Sequence, residues 1–133
     1  MKYMLDTNIC IFVINKNSDV VLEKIRTNKF KNLSISTITL AELEYGVANS
    51  TLKEKNSIAL HKFLSNIRIL NFDDNAAIEY GKIRADLKRR GKPISMMDSL
   101  IAAHAIASDQ ILVTNNIREF ERVNGLRIVD WTI

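Results

Sequence analysis

Five apolar runs, each too short for a helix, alternate along this chain with stretches of helical spacing, and that alternation limits the folds open to it. The runs are Lys2-Tyr3-Met4-Leu5, Leu33 to Ser36, Ile67 to Phe72, Ile111-Leu112-Val113 and Arg127-Ile128-Val129. Leu33 to Ser36 and Ile67 to Phe72 alternate apolar and polar residues with the two-residue period of a strand. Ile111-Leu112-Val113 is apolar without interruption, as expected of a central parallel strand covered on both faces. Between the runs, helices are expected over roughly residues 6–15, 20–28, 39–50, 53–65, 74–90, 95–107 and 118–121. The clearest is the one capped by Asp73-Asp74, in which Ala76, Tyr80, Ile83 and Leu87 form an apolar stripe and Gly91-Lys92-Pro93 is the stop. The helix opened by Ser95-Met96-Met97-Asp98 carries Leu100, Ile101, Ala102, Ala103 and Ala105, is apolar nearly all round, and is therefore expected to be buried. Strands separated by helices throughout predict an α/β sandwich with a mainly parallel central sheet.

With 133 residues, 47% of them hydrophobic, the chain is expected to form one domain spanning residues 1–133. Four Gly and one Pro leave little for linkers. No apolar run approaches the ~18 residues needed to cross a bilayer, and Asp6 interrupts the N-terminus before an export signal could form. The expectation is a soluble, cytoplasmic protein. The single cysteine, Cys10, cannot form an internal disulfide, and within Ile9-Cys10-Ile11-Phe12-Val13 it reads as a small core residue. Nineteen basic against fifteen acidic side chains give a net charge of +4, which is compatible with a nucleic-acid partner without requiring one. The excess is local: Lys82, Arg84, Lys88, Arg89, Arg90 and Lys92 face only Asp86. Such a cluster suits phosphate contacts, and it equally suits a solvated helix end where cations favour the C-terminal dipole.

The acids are distributed more tellingly. Asp6, Glu42 and Asp98 each fall at the expected first turn of a helix, the first two directly after strands, and Glu119 follows the strand ending at Val113 by about one turn. Ligands of α/β proteins collect at the carboxyl ends of parallel strands. Each acid alone has a simpler explanation. Asp is a favoured N-cap, and Thr39-Leu40-Ala41-Glu42 and Ser95-Met96-Met97-Asp98 both match the capping-box pattern. Taken together, three coincident caps are a poorer account than one shared cation, because a charge opening an apolar helix needs a partner. Carboxylates without cysteine or paired histidine suit hard cations such as Mg²⁺ or Mn²⁺, and such a site suits displacement at phosphorus. His61 reads as a surface-helix residue and His104 as a packed, hydrogen-bonded one. No Gly-x-Ser-x-Gly elbow supports serine catalysis. A phosphatase of the haloacid dehalogenase type needs a second Asp at position 8, which here is Asn. A phosphoacceptor receiver needs an early acidic pair and a late catalytic Lys, where this chain has Thr114-Asn115-Asn116.

These residues resemble the PIN-domain ribonucleases, and within them the VapC-type toxins of bacterial toxin–antitoxin pairs, over the whole chain. Met4-Leu5-Asp6-Thr7-Asn8 is similar to the family's opening motif, Ala41-Glu42 to its second acidic element, and Met97-Asp98 with Leu100-Ile101-Ala102-Ala103 to its third. Val113-Thr114-Asn115-Asn116, Arg118 to Val123, Gly125-Leu126 and Asp130-Trp131 resemble the ending of the enteric VapC subgroup. The resemblance implies a three-layer α/β/α sandwich and a Mg²⁺-dependent endoribonuclease, with Mn²⁺ a possible substitute. It implies silencing by a VapB-type antitoxin, assembly as a homodimer and in larger toxin–antitoxin complexes, and cleavage of initiator tRNA in its anticodon stem-loop. By the same resemblance Asp6 and Asp98 are expected metal ligands, Glu42 a further acid of the pocket, and Thr7, Asn8 and Thr114 the groups that orient the carboxylates, with Asn116 beside them. The pattern departs at Asn116, where the broader family often has Asp. Either Glu119 supplies that charge or the site works with three acids; a degenerate module that only binds RNA or antitoxin is the non-enzymatic alternative. The resemblance also favours the RNA-contact reading of Lys82 to Lys92, because RNA approaching a negative pocket needs a basic rim.

Overall fold

The computed structural model describes residues 1–133, the side chain of Phe30 excepted. The elements follow in the order β1 (Tyr3–Leu5), α1 (Thr7–Asn15), α2 (Asp19–Thr27), β2 (Leu33–Ser36), α3 (Thr37–Ala48), α4 (Lys53–Leu64), β3 (Arg68–Leu70), α5 (Asp74–Arg89), α6 (Met96–Ala107), β4 (Ile111–Val113), α7 (Ile117–Phe120) and β5 (Ile128–Val129). All five strands are parallel and lie in the order β3-β2-β1-β4-β5. β1 is therefore central, with β2 and β4 on either side, and the strand order reverses between β1 and β4. That is the topological switch point, where an α/β sheet opens a crevice beyond its carboxyl edge.

The two-residue period of the strands builds the layers. Met4 and Leu112 point into one core cluster with Ile83 and Leu87 of α5, Ile101 of α6 and Phe120 of α7. Leu5 and Val113 point to the opposite side, where Ile9, Val21, Leu43 and Leu60 bring in α1 to α4. Helices thus cover both faces of the sheet, which is the three-layer α/β/α sandwich that the alternation and the resemblance led us to expect. Each fully buried Leu or Ile stabilises by about 1.5–3 kcal/mol, and a strand with apolar residues on both faces is stable only when both are covered. Cys10 is fully buried in the α1–α4 cluster, and burial pushes its thiol pKa well up, so it behaves as a core residue. Among the described residues no helix is long and apolar enough to cross a membrane.

One local reading needs correction, at the start of α3. Leu33 to Ser36 forms the expected strand, and all four of its residues are buried. Ser34 and Ser36 are tolerated there because both hydroxyls are used. Ser34 donates to the Tyr3 carbonyl at 3.1 Å, and Ser36 both caps α3 through the Ile38 N–H and bonds His104 Nδ1 at 2.7 Å. For the same reason α3 starts at Thr37. Ser36 takes the cap that the Thr39-Leu40-Ala41-Glu42 pattern appeared to assign to Thr39, and Glu42 lies in the second turn of α3.

Candidate active site

Asp6 follows β1 at the switch point. Its N–H donates to the Val113 carbonyl at 3.0 Å, continuing the β1–β4 ladder one residue past the strand. Its Oδ1 accepts the Ile9 N–H at 2.9 Å, so it is also the N-cap of α1. The cap and the candidate ligand are one residue, and the environment shows that capping is not its only role. Asp6 is only 4% exposed, and its pKa is pushed up from 3.8 to about 6. Burial is the main cause, opposed by hydrogen bonds from the Thr114 hydroxyl and the Ile9 amide and reinforced by the charges of Asp98 and Glu42.

The other acids approach from three directions. Asp98 stands in the first turn of α6, whose N-cap Ser95 accepts the Asp98 N–H at 3.1 Å, so this capping pattern forms as expected. Its carboxyl is also pushed up, first by burial and then by the nearby charges of Glu42 and Glu119, against a hydrogen bond from Ser95. Glu42 comes from α3, where the Thr7 hydroxyl donates to its Oε1 at 2.7 Å and lies 3.5 Å from the buried Thr39 hydroxyl. Glu119 comes from α7 and pairs with Arg122 at 3.7 Å. The fold therefore brings Asp6, Glu42, Asp98 and Glu119 into one electrostatic neighbourhood, from α1, α3, α6 and α7.

Of the expected orienting residues, Thr7 holds Glu42 and Thr114 holds Asp6. Thr114 is fully buried, and its own oxygen is fixed by accepting the Asn116 N–H at 3.0 Å. Asn8 and Asn116 do not act in that way. Asn8 is exposed on α1, Asn116 is half-buried ahead of α7, and among the described residues neither side chain hydrogen-bonds a carboxylate. Both histidines stand where the sequence placed them. His61 is exposed and bonded to the Ser57 carbonyl, while His104 is buried against Ser36 and edge-on to Phe72, with burial lowering its pKa.

The donors are all carboxylate and hydroxyl oxygens, which suits a hard divalent cation. No group of three or more His, Cys, Asp or Glu side chains among the described residues closes around a common point. Mutually destabilised carboxylates, two of them with raised pKa values, are what such an ion would relieve.

The basic segment divides. Lys82 pairs with Glu79 at 3.5 Å, Arg84 donates to the Tyr80 hydroxyl at 2.7 Å, and Arg90 is bound to Asp86 through two nitrogens at 3.0 and 2.6 Å. Lys88, Arg89 and Lys92 are exposed. Two basic residues near the acids were not singled out from sequence: Arg118 and Arg122 on and just after α7. Their spacing of four places them on one helical face, but the interleaved Glu119 and Glu121 make the segment read as charge-balanced.

A parallel sheet with carboxylates gathered at its switch point defines a class of α/β proteins with an acidic crevice at the carboxyl ends of the strands. The chain belongs to the PIN domain family, whose model matches residues 3–126, and within it to the VapC group. It is 47% identical over 132 residues to the tRNA(fMet)-specific endonuclease VapC of Shigella flexneri, covering 99% of each chain. It is 45% identical to ribonuclease VapC2 of Rickettsia felis, covering 98% of each. Among solved structures it is similar to DNA-bound VapBC from Salmonella typhimurium, with a TM-score of 0.94, 44% identity and 98% coverage of both chains. A second similar structure is VapBC2 from Rickettsia felis bound to a promoter DNA fragment, with a TM-score of 0.92, 44% identity, and 98% and 99% coverage.

Proposed function

We propose that this protein is a divalent-cation-dependent endoribonuclease, the toxin of a toxin–antitoxin pair, and that it inhibits translation by cutting initiator tRNA in its anticodon stem-loop. The observation that carries the reading is Asp6, a carboxylate buried at the switch point and pushed to a pKa of about 6 beside Asp98 and Glu42. Carboxylates perturbed by burial and by one another in a crevice mark functional sites. The names of the VapC relatives support the RNA substrate, and the name of the Shigella flexneri relative supports the tRNA.

Asp6 and Asp98 would hold the cation, with Mg²⁺ the expected ion and Mn²⁺ a substitute. When bound, the ion supplies activation of water and neutralisation of charge on the phosphate. The residues of the chain do the rest. Thr114 and the Ile9 amide fix the Asp6 carboxylate, and Thr7 fixes Glu42, a further acid of the pocket, through Oε1. Glu119, held by Arg122, supplies the charge that Asn116 lacks.

An apolar groove of about 580 Å³ between α1, α2 and α4, with Leu22, Ile25 and Phe63 in it and Lys16, Arg26 and Lys62 at its rim, fits an antitoxin segment. The VapBC assemblies of the similar structures support a VapB-type partner. Tyr45, Leu52 and Ile58 expose large apolar side chains on and between α3 and α4, a surface expected to be covered by a second copy. The substrate is tested by sequencing the 5′ ends of cellular RNA after a brief pulse of expression. New ends confined to the initiator tRNA anticodon loop are the expected result, and cuts scattered across mRNA would overturn the tRNA reading.

A further inference from the structure

We propose that a groove formed by Arg90, Lys92, Arg118 and Arg122 binds the phosphodiester backbone of the RNA substrate next to the acidic pocket, and that the outer flank of α5 does not. The proposal rests on the ribonuclease reading above and locates where its substrate enters.

Chain folding brings the end of α5 against α7 and encloses a groove of about 460 Å³ lined by these four bases and one acid, Glu121. Within the lining the four bases meet only one acid, so the concavity carries an excess of positive charge. Their local partners do not remove the excess. Arg90 is neutralised by Asp86, but Lys92 and Arg118 form no ion pair among the described residues.

Arg122 couples the groove to the site. Its backbone carbonyl accepts a bond from Arg90, and its guanidinium donates to the Pro93 carbonyl at 3.0 Å and lies 3.7 Å from Glu119. Glu119 in turn acts on Asp98. A phosphate seated between Lys92 and Arg118 therefore lies beside Arg122, the partner of Glu119, and the hydrogen bonds of Arg90 and Arg122 hold both walls in place without help from the ligand. Preformed donors of this kind lose little entropy on binding.

The rest of the basic segment is placed differently. Lys82 and Arg89 are not among the residues lining this groove; their spacing of seven puts them on one flank of α5, and Lys82 is paired with Glu79. Sequence proximity made Lys82 to Lys92 look like one patch, whereas the helix splits it and the fold completes half of it with Arg118 and Arg122.

The test uses the full chain in EDTA and a fluorescein-labelled anticodon stem-loop of initiator tRNA, with binding followed by anisotropy across a salt series. For Lys92→Gln/Arg118→Gln we expect the slope of log K against log salt to flatten by about 1.5 and Kd at moderate salt to rise roughly tenfold. Lys82→Gln/Arg89→Gln should keep the wild-type slope, as should the charge-conserving Lys92→Arg/Arg118→Lys. An unchanged slope in the first pair, or equal flattening in the Lys82/Arg89 pair, overturns the groove while leaving the nuclease reading intact. Flattening in the charge-conserving pair also overturns it, because the effect would then come from shape. A wild-type protein that binds no RNA overturns both.

Discussion

Replacing Asp6 by Asn should stabilise the metal-free protein at neutral pH while abolishing its activity. The folded-state pKa of about 6 stands roughly two units above the ordinary 3.8, and each unit is worth about 1.4 kcal/mol. The sign follows from proton counting. Between pH 3.8 and 6 the folded state holds the Asp6 proton more tightly than the unfolded chain does, so stability falls as pH rises through that window and stays low above it. At pH 7.5 the ionised carboxylate therefore destabilises the cation-free fold by roughly 3 kcal/mol. Asn mimics the neutral acid and still caps α1, so Asp6→Asn should recover roughly 2–3 kcal/mol, a rise in Tm on the order of 5–10 °C. The assay is urea unfolding in EDTA from pH 4 to 7.5 for both proteins. Their stabilities should converge near pH 4 and separate progressively up to about pH 6, and added Mg²⁺ should raise wild type alone. A variant no more stable than wild type at pH 7.5, or a gap that does not change with pH, would refute the view that Asp6 is a strained ligand.

Other substitutions test individual contacts. Thr7→Val removes the 2.7 Å bond to Glu42 and should lower kcat on the order of tenfold, with KM and melting temperature little changed, as steady-state cleavage and a thermal melt will show. Ser36→Ala deletes the α3 cap and leaves His104 Nδ1 without its partner, so urea unfolding should report a loss of about 2 kcal/mol. Gly91, with φ of +67°, closes α5 in the left-handed region, and Gly91→Ala should cost about 1–2 kcal/mol in the same assay although a Cβ meets nothing there.

Why some of this was legible in the sequence and some was not comes down to range. The uninterrupted Ile111-Leu112-Val113, the stripe through Ala76, Ile83 and Leu87, and the acid after β1 are local signals, and local physics reproduces them as the buried interior strand β4, the α5 face and the α1 cap. Contacts between distant residues were legible only where the motif resemblance supplied them, as for Thr7 on Glu42; elsewhere they were missed. The alternation at Ser34 and Ser36 does not reveal that both are buried, because Tyr3 and His104, which satisfy them, lie 31 and 68 residues away. Glu42 looked like the end of a capping box because Thr39-x-x-Glu42 matches one, whereas Ser36 had already ended the strand and taken the cap. Asn8 matches the opening motif as a letter, yet it is exposed and its side chain makes no hydrogen bond to a carboxylate among the described residues. Arg118 and Arg122 join Arg90 and Lys92 only across the contact between the α5–α6 loop and α7.

The central claim is that Asp6 and Asp98 hold a divalent cation that cleaves RNA. The direct measurement is cleavage of initiator tRNA by the antitoxin-free protein with Mg²⁺, with EDTA, and with Asp6→Asn and Asp98→Asn. We expect cutting only with the metal and a fall on the order of a hundredfold or more in each variant. Undiminished cleavage in both variants, or in EDTA, would contradict it.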